Sequence, residues 1–180
     1  MSKTAVIIVD LQQEYLPTGK LPLHQLAPAL DKAAAVITRA RQQGVPVIHI
    51  RHEQPGAPFF VPGSAGVEII PQVAPQAGET VIVKNHPNSF RETGLEQLLK
   101  SEGITDVIIL GAMSHMCIAA TGRAAAELGF ATSVVEDGCA TLDLEHGGIT
   151  VPAPQVHAAN MAALAFAYAS VVPADEVLAG

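Results

Sequence analysis

Hydrophobic and polar positions form blocks along the chain that alternate between two periodicities. Short apolar runs rich in β-branched residues predict buried strands, and apolar residues at helical spacing predict the helices between them. The strands are expected at residues 5–9, 45–50, 80–83, 107–110, 131–135 and 171–172. The helices are expected at 28–43, 95–101, 117–128 and 156–168, with loops at 55–75 and 142–154. This alternation of strands and helices is typical of an α/β protein.

The segment from Val107 to Phe130 joins a strand to a helix through a tight loop. The strand ends at Gly111, and helical spacing begins at Cys117. A helix N-terminus carries free N–H groups and partial positive charge, so a thiol there should have a lowered pKa. Cys117 is therefore a candidate nucleophile. The alternative is that it is a small buried hydrophobic residue.

Two other strands end in ionisable residues. Asp10 follows strand 5–9, and Lys84 closes strand 80–83. Ligands of open α/β sheets bind at the carboxyl ends of the strands, so both residues are candidates for chemistry. Asp10 has an alternative role as a helix cap or loop acid, and Lys84 as a surface lysine with a buried stem.

The composition and charge of the chain indicate a single domain and argue against some classes of partner. The chain has 180 residues, of which 49% are hydrophobic and 15% are charged, as expected for one domain with a full core. The net charge of −7 argues against nucleic acid or an anionic membrane surface as a partner. Two cysteines without metal-type spacing, and no signal peptide or membrane-spanning segment, predict a soluble cytoplasmic protein.

Histidines near the second strand raise the question of a metal site. His49 and His52 have an unsuitable spacing and no clear third ligand, although Glu53 follows them, so we expect no metal and no cofactor. Cys139 and His157 are interpreted as structural.

The long Pro/Gly-rich segment 55–75 carries the adjacent aromatic residues Phe59 and Phe60. A loop of this length inside a compact domain is usually functional, which favours a pocket wall or lid. The alternative is that an irregular segment simply wraps the surface.

Several sequence motifs occur in a characteristic order. They are Val9-Asp-Leu-Gln12, Val81-Ile-Val-Lys84 followed by Ser89-Phe90 and Thr93-Gly-Leu95, Gly111-Ala-Met-Ser-His-Met-Cys-Ile118 with Thr121 and Arg123, and Leu128-Gly-Phe130 followed by Val134-Val-Glu-Asp-Gly138. Together they resemble the isochorismatase-like cysteine hydrolase family, which includes nicotinamidases and N-carbamoylsarcosine amidase. The resemblance covers about residues 4–175.

This resemblance implies a fold and a set of roles. The fold would be one isochorismatase-like hydrolase domain over residues 1–180, a three-layer α/β/α structure with a six-stranded parallel sheet of order 3-2-1-4-5-6. Cys117 would be the nucleophile, Asp10 its general base, and Lys84 the cation that holds both. A cis peptide between Ala112 and Met113 would help the N–H groups of Met113 and Cys117 form an oxyanion hole.

The substrate pocket is predicted near the three strand ends. Its lining would comprise Gln12, Tyr15, Phe60, Phe90 and His115, with Met113 as a further apolar group and loop 59–66 as a lid. The partner would be a small-molecule substrate. The resemblance also implies a homo-oligomer, a dimer or higher, and in many members of the family a neighbouring subunit completes the pocket.

Three functions fit the sequence. The leading hypothesis is a hydrolase that cleaves a C–N bond of a small amide or ureide through an acyl-enzyme on Cys117. The Asp-x-His metal motif of the nicotinamidases is replaced here by the segment 49–54, which makes nicotinamide a less favoured substrate. The alternatives are isochorismatase-type hydrolysis of a vinyl ether and a non-catalytic α/β binding protein.

Overall fold

The computed structural model describes residues 3–178. Its strands are β1 (Thr4–Val9), β2 (Val47–His52), β3 (Thr80–Lys84), β4 (Asp106–Ala112), β5 (Ala131–Ala140), β6 (Leu144–His146), β7 (Ile149–Val151) and β8 (Ser170–Val172). Its helices are α1 (Leu26–Gln42), α2 (Leu95–Ser101), α3 (Ala119–Glu127) and α4 (Ala153–Ala167). Within these residues, no helix combines the length and the apolar character needed to cross a bilayer.

Six of the strands form one parallel sheet, in the order β3-β2-β1-β4-β5-β8. The order confirms the predicted 3-2-1-4-5-6 topology, and the flanking helices give the three-layer α/β/α architecture. The central strands β1 and β4 are buried almost throughout, as expected for strands covered on both faces. The strand order reverses between β1 and β4, which is where open α/β sheets form a ligand crevice.

The boundaries differ from the prediction in the second half of the chain. Strand β5 continues beyond Val135 to Ala140, so Cys139 lies within the strand and not after it. The segment predicted as loop 142–154 contains the β6–β7 hairpin. Helix α4 begins three residues earlier than predicted, and the Asp143 carboxylate accepts a hydrogen bond at 2.7 Å from the Ala153 N–H, one of the free N–H groups of its first turn.

The connection from β4 to α3 also differs from the prediction, which placed a tight loop there and the start of the helix at Cys117. Residues Ser114–Ile118 form a π-helical turn, and the α-helix begins only at Ala119. Gly111, one residue before the end of β4, has φ +132°, and a Cβ atom there would lie 2.0 Å from the Val9 carbonyl oxygen. Only glycine therefore allows β4 to pass this close to β1 before the turn that carries Cys117. The peptide between Ala112 and Met113 is cis.

Candidate active site

Three ionisable side chains meet at the carboxyl edge of the sheet. Asp10 follows β1, Lys84 ends β3, and Cys117 lies in the π-helical turn after β4. Lys84 Nζ lies 2.7 Å from Asp10 Oδ2 and 3.2 Å from Cys117 Sγ. Exposure is 0% for Asp10, 1% for Lys84 and 7% for Cys117. The structure thus brings together the three residues that the sequence analysis singled out.

Asp10 sits at a bend in the backbone. Its φ of +53° is in the left-handed region, which Asp tolerates better than most residues. The Asp10 N–H donates to the Ile50 carbonyl of the neighbouring strand at 3.0 Å, which fixes this bend. Among the described residues, neither carboxylate oxygen accepts a hydrogen bond of good geometry, so the contact with Lys84 is an ion pair. The carboxylate therefore keeps capacity to accept a proton.

Lys84 is a buried cation. Burial lowers the pKa of Lys84, but the Asp10 carboxylate, and after it the Cys117 sulfur, outweigh that effect and raise it above its ordinary value. The side chain therefore stays protonated near neutral pH. The alternative of a snorkelling surface lysine is wrong, because the whole side chain is excluded from solvent.

The thiol of Cys117 differs from the expectation. Burial raises its pKa above that of an ordinary cysteine, the charge of Asp10 raises it further, and Lys84 only partly offsets both effects. The helix N-terminus that was predicted to lower this pKa is a π-helical turn in a buried setting. The resting side chain is thus a neutral thiol, and activation has to come from a base during the reaction.

His52 contacts Lys84, which was not predicted from the sequence. Its Nδ1 lies 3.1 Å from Lys84 Nζ, and the two residues are directly paired in the register of β2 and β3. The signal was present in the predicted strand order, which makes the second and third strands neighbours, and in the position of both residues at strand ends. The sequence alone does not give the register.

Gln12 is buried and fully engaged with the backbone. Its side-chain amide donates to the carbonyls of His52 and Val67, each at 2.8 Å, and accepts from the His52 N–H at 2.8 Å. These bonds occupy both amide protons. Gln12 was predicted to bind substrate, whereas this geometry gives it a role in joining the end of β2 to the loop that contains Val67.

Two aromatic residues predicted in the pocket lie beside His52. The ring of Phe60 packs edge-on against Tyr15 at 5.2 Å and against the His52 ring at 5.3 Å. Both aromatic residues are buried, and burial is the main reason that the pKa of Tyr15 is raised, with the charge of Asp10 second. Lys20 donates to the Pro58 carbonyl and holds the same loop down. Loop 59–66 therefore lies against residues next to the ionisable cluster, which is formed by Asp10, Lys84 and Cys117.

Two other predicted pocket residues have different surroundings. Phe90 stacks on Phe130 at 6.0 Å, and Phe130 precedes β5 at the opposite, amino edge of the sheet. Its ring contributes to core packing, so we leave Phe90 out of the proposed pocket. His115 lies in the turn with Cys117, and its Nδ1 is 2.7 Å from Thr141 Oγ1.

The histidines that raised the question of a metal have protein partners. His49 Nε2 lies 3.0 Å from Glu79 Oε2, and Glu79 also pairs with Arg41 at 2.7 Å. His52 faces Lys84, as described. Within residues 3–178, no three metal-type side chains are grouped closely enough to hold an ion.

The chain was compared with known proteins. The isochorismatase domain model matches residues 4–174. The isochorismatase family protein YddQ of Bacillus subtilis is 45% identical over 177 residues, which cover 97% of this chain and 98% of YddQ. Maleamate amidohydrolase of Pseudomonas putida is 32% identical over 155 residues, covering 75% of this chain and 71% of that enzyme.

Solved structures agree. The crystal structure of a candidate isochorismatase hydrolase from Oleispira antarctica has 50% identity and a TM-score of 0.96, covering 99% of this chain and 97% of that one. The family model spans nearly the whole chain, and it includes all three residues of the ionisable cluster. The chain belongs to the isochorismatase family of hydrolases.

Proposed function

We propose that this protein is a cysteine hydrolase that cleaves a C–N bond of a small amide or ureide through an acyl-enzyme on Cys117. The observation that carries the proposal is the position of the Lys84 ammonium, which contacts both the Asp10 carboxylate and the Cys117 sulfur. A carboxylate and a thiol that both contact one cation provide a base, a nucleophile and a charge stabiliser. The similarity to maleamate amidohydrolase supports the choice of an amide.

The first half of the reaction forms the thioester. Because the resting thiol is neutral, Asp10 takes its proton as the sulfur attacks the carbonyl carbon. Lys84 stabilises the negative charge that moves from the carboxylate to the sulfur and then to the carbonyl oxygen. Collapse of the tetrahedral intermediate breaks the C–N bond, and the proton held by Asp10 passes to the departing amine.

The second half releases the acid. Asp10, again a carboxylate, takes a proton from a water molecule that attacks the thioester carbonyl. The C–S bond then breaks, the proton returns to the sulfur, and the carboxylic acid leaves. Atoms and charges balance over the two halves, with one water consumed.

The developing oxyanion needs hydrogen-bond donors. We assign this role to the N–H groups of Met113 and Cys117, which belong to the connection after β4. Backbone donors of this kind act as fixed dipoles and cost little reorganisation during the reaction.

The remaining side chains shape the pocket. Tyr15 and Phe60 supply an apolar wall, and His115 is the polar residue that shares the turn with the nucleophile. Loop 59–66 acts as the lid. Since Cys117 is nearly buried, a substrate has to be compact or enter after this loop moves.

The experiment that tests this function is a screen for ammonia release. Purified protein is incubated with a panel of small amides and ureides, and a vinyl-ether substrate of the chorismate type is included. Ammonia from at least one amide is the expected result, abolished in Cys117→Ala and retained in the matched variant Cys139→Ala. Hydrolysis of the vinyl ether alone, or activity that survives Cys117→Ala, would overturn the proposal.

A further inference from the structure

The Lys84 ammonium has a third neighbour besides the two that carry the proposed chemistry. An ammonium group has three N–H donors and no acceptor. The three polar neighbours of Nζ are Asp10 Oδ2 at 2.7 Å, which forms the ion pair, and His52 Nδ1 at 3.1 Å and Cys117 Sγ at 3.2 Å, which are within hydrogen-bond distance. Because the lysine is buried, a missing third acceptor would leave a proton unsatisfied, which is costly away from water.

The donor and acceptor roles in the contact between Lys84 and His52 follow from the charges of the two side chains. Lys84 stays protonated, so His52 Nδ1 has to be the acceptor and carries no proton. The histidine is then the neutral tautomer with its proton on Nε2. Burial lowers the pKa of His52, the charge of Lys84 lowers it further, and Asp10 acts in the opposite direction. The neutral form is therefore the one present near neutral pH.

His52 is held firmly on both its backbone and its ring. The Gln12 amide bonds both the N–H and the carbonyl of His52 at 2.8 Å. Phe60 packs edge-on against the imidazole with an interplanar angle of 89°. The direct pairing of His52 with Lys84 between β2 and β3 places the two side chains on the same face of the sheet. These contacts leave the ring little freedom to turn away from the lysine.

The geometry points to His52 as a positioning residue that fixes the Lys84 ammonium between Asp10 and Cys117 by accepting its third proton. The inference rests on the proposed function for its catalytic meaning, but the hydrogen bond itself is independent of any substrate. Gln12 acts one step further out, by holding the His52 backbone. This gives the end of β2, which was considered as a metal site, a role in organising the cation instead.

Protonation of His52 would remove the acceptor and place two cations in contact. The ionisable groups that face the imidazole are Lys84 from β3, Asp10 from the end of β1, and His86 from the loop after β3. Among these ionisable groups, Asp10 alone favours the protonated ring, and its charge is already shared with Lys84; a hydrogen bond with the Gln54 side chain acts in the same direction as Asp10. Since the pKa of His52 lies below its ordinary value, the arrangement should persist at neutral pH and fail as the pH falls through that lowered pKa.

Two variants separate an acceptor role from a packing role. In His52→Asn, the amide oxygen occupies roughly the place of Nδ1 and cannot be protonated. In His52→Leu, apolar bulk remains but the acceptor is lost. The probe is iodoacetamide, and the readout is the alkylation rate of Cys117 against pH, measured by peptide mass spectrometry with Cys139 as the internal reference.

The expected result follows from the effect of Lys84 on the thiol. An ammonium that is displaced from Cys117 lowers the pKa of the thiol less. Cys117 in His52→Leu should therefore be alkylated roughly tenfold more slowly at pH 8, which corresponds to a pKa difference of one unit. In His52→Asn, Cys117 should be alkylated at close to the parent rate. The plot of this rate against pH should lose the part of its decrease at low pH that comes from protonation of His52. On any amide that the parent hydrolyses, His52→Leu should lower kcat more than it changes KM. Parent-like alkylation and pH dependence in His52→Leu would overturn the inference.

A measurement on the parent protein covers the case in which a variant does not fold. Nitrogen-15 NMR of the histidine side chains distinguishes an unprotonated acceptor nitrogen from a protonated one, and through-bond correlation of each ring with its own assigned backbone identifies the His52 signals without any variant. The inference expects Nδ1 to be the unprotonated nitrogen at pH 7. A proton on Nδ1 would overturn it, even if amide hydrolysis is found. An unprotonated Nδ1 with no hydrolysis of any amide would instead count against the proposed function alone.

Discussion

Lys84 Nζ lies 2.7 Å from Asp10 Oδ2, and neither side chain is exposed to solvent. Removing two charges from water is costly, and their attraction compensates only while both partners are present. The pair also sits between the carboxyl ends of β1 and β3, where the sheet positions it without help from a flexible surface loop. Stability and the proposed chemistry therefore depend on the same contact.

Replacing Lys84 with Met should destabilise the protein. The substitution leaves the Asp10 carboxylate buried without its counter-ion, which typically costs about 3–5 kcal/mol. Urea unfolding monitored by circular dichroism measures the change in the free energy of unfolding. The matched control is Lys100→Met, since Lys100 is an exposed partner of Glu96 and its loss should stay within about 0.5 kcal/mol.

The double variant Asp10→Asn/Lys84→Met refines this first prediction. Because it removes both charges, it should be more stable than Lys84→Met alone. A Lys84→Met protein as stable as the parent would show that the pair does not carry the expected energy.

Replacing Asp10 with Asn should separate thiol reactivity from catalysis. The Asp10 charge raises the Cys117 pKa, so its removal should increase alkylation of Cys117 by iodoacetamide at pH 7.5. Hydrolysis should nevertheless fall roughly 10²–10⁴-fold, because the base that accepts the thiol proton is gone. Unchanged alkylation of Cys139 in the same samples rules out general unfolding as the cause. Undiminished hydrolysis in Asp10→Asn would mean that the carboxylate is not the base.

The cluster of Glu79, Arg41 and His49 should make the free energy of unfolding depend on pH. A hydrogen bond from Arg41 is the main reason that the Glu79 pKa is lowered to about 2, below its value in an unfolded chain. Its contribution is therefore present above the unfolded pKa and lost as the pH falls from about 5 to about 2. Glu79→Gln should lower stability at pH 7 by about 1–2 kcal/mol after allowance for solvent screening, and the difference from the parent should vanish near pH 2.

Thermal unfolding at several pH values checks the Glu79 prediction. Glu92→Gln is the matched control, because Glu92 pairs with His86 on the surface and should matter little. A Glu79→Gln difference that persists unchanged at pH 2 would contradict the assignment.

Chelators should leave activity intact. His49 and His52 already bind Glu79 and Lys84, and the proposed mechanism stabilises the oxyanion with backbone donors. Activity on an identified amide is measured after dialysis against EDTA, with and without added zinc. Loss of activity that zinc restores would mean that His49, His52 or Glu53 is a metal ligand after all.

The sequence predicted the sheet and the ionisable cluster well, for physical reasons. Buried parallel strands are continuous apolar runs, and Asp10 and Lys84 stand out because charged residues at the ends of such runs are costly unless paired. The β6–β7 hairpin was missed because its strands have only three residues each. At the early start of α4, the first helical N–H is bonded by Asp143, which lies ten positions away in the sequence and so outside the local helix pattern.

Two properties of the site could not be predicted from the sequence. The raised pKa of Cys117 comes from burial by residues distant in the chain, and the sequence pattern shows only the local helix start. The contact between His52 and Lys84 depends on the register of β2 and β3, which the hydrophobic pattern of two such short strands does not specify.

The most direct test of the account is a search for the acyl-enzyme. A slowly turned-over amide from the screen is mixed with the enzyme, the reaction is quenched with acid, and the peptide containing Cys117 is weighed by mass spectrometry. The account predicts a mass increase equal to the acyl fragment on Cys117, none on Cys139, and a signal that decays at the rate of product release. Turnover of the same amide with no adduct at any quench time, and equal turnover by Cys117→Ala, would contradict it.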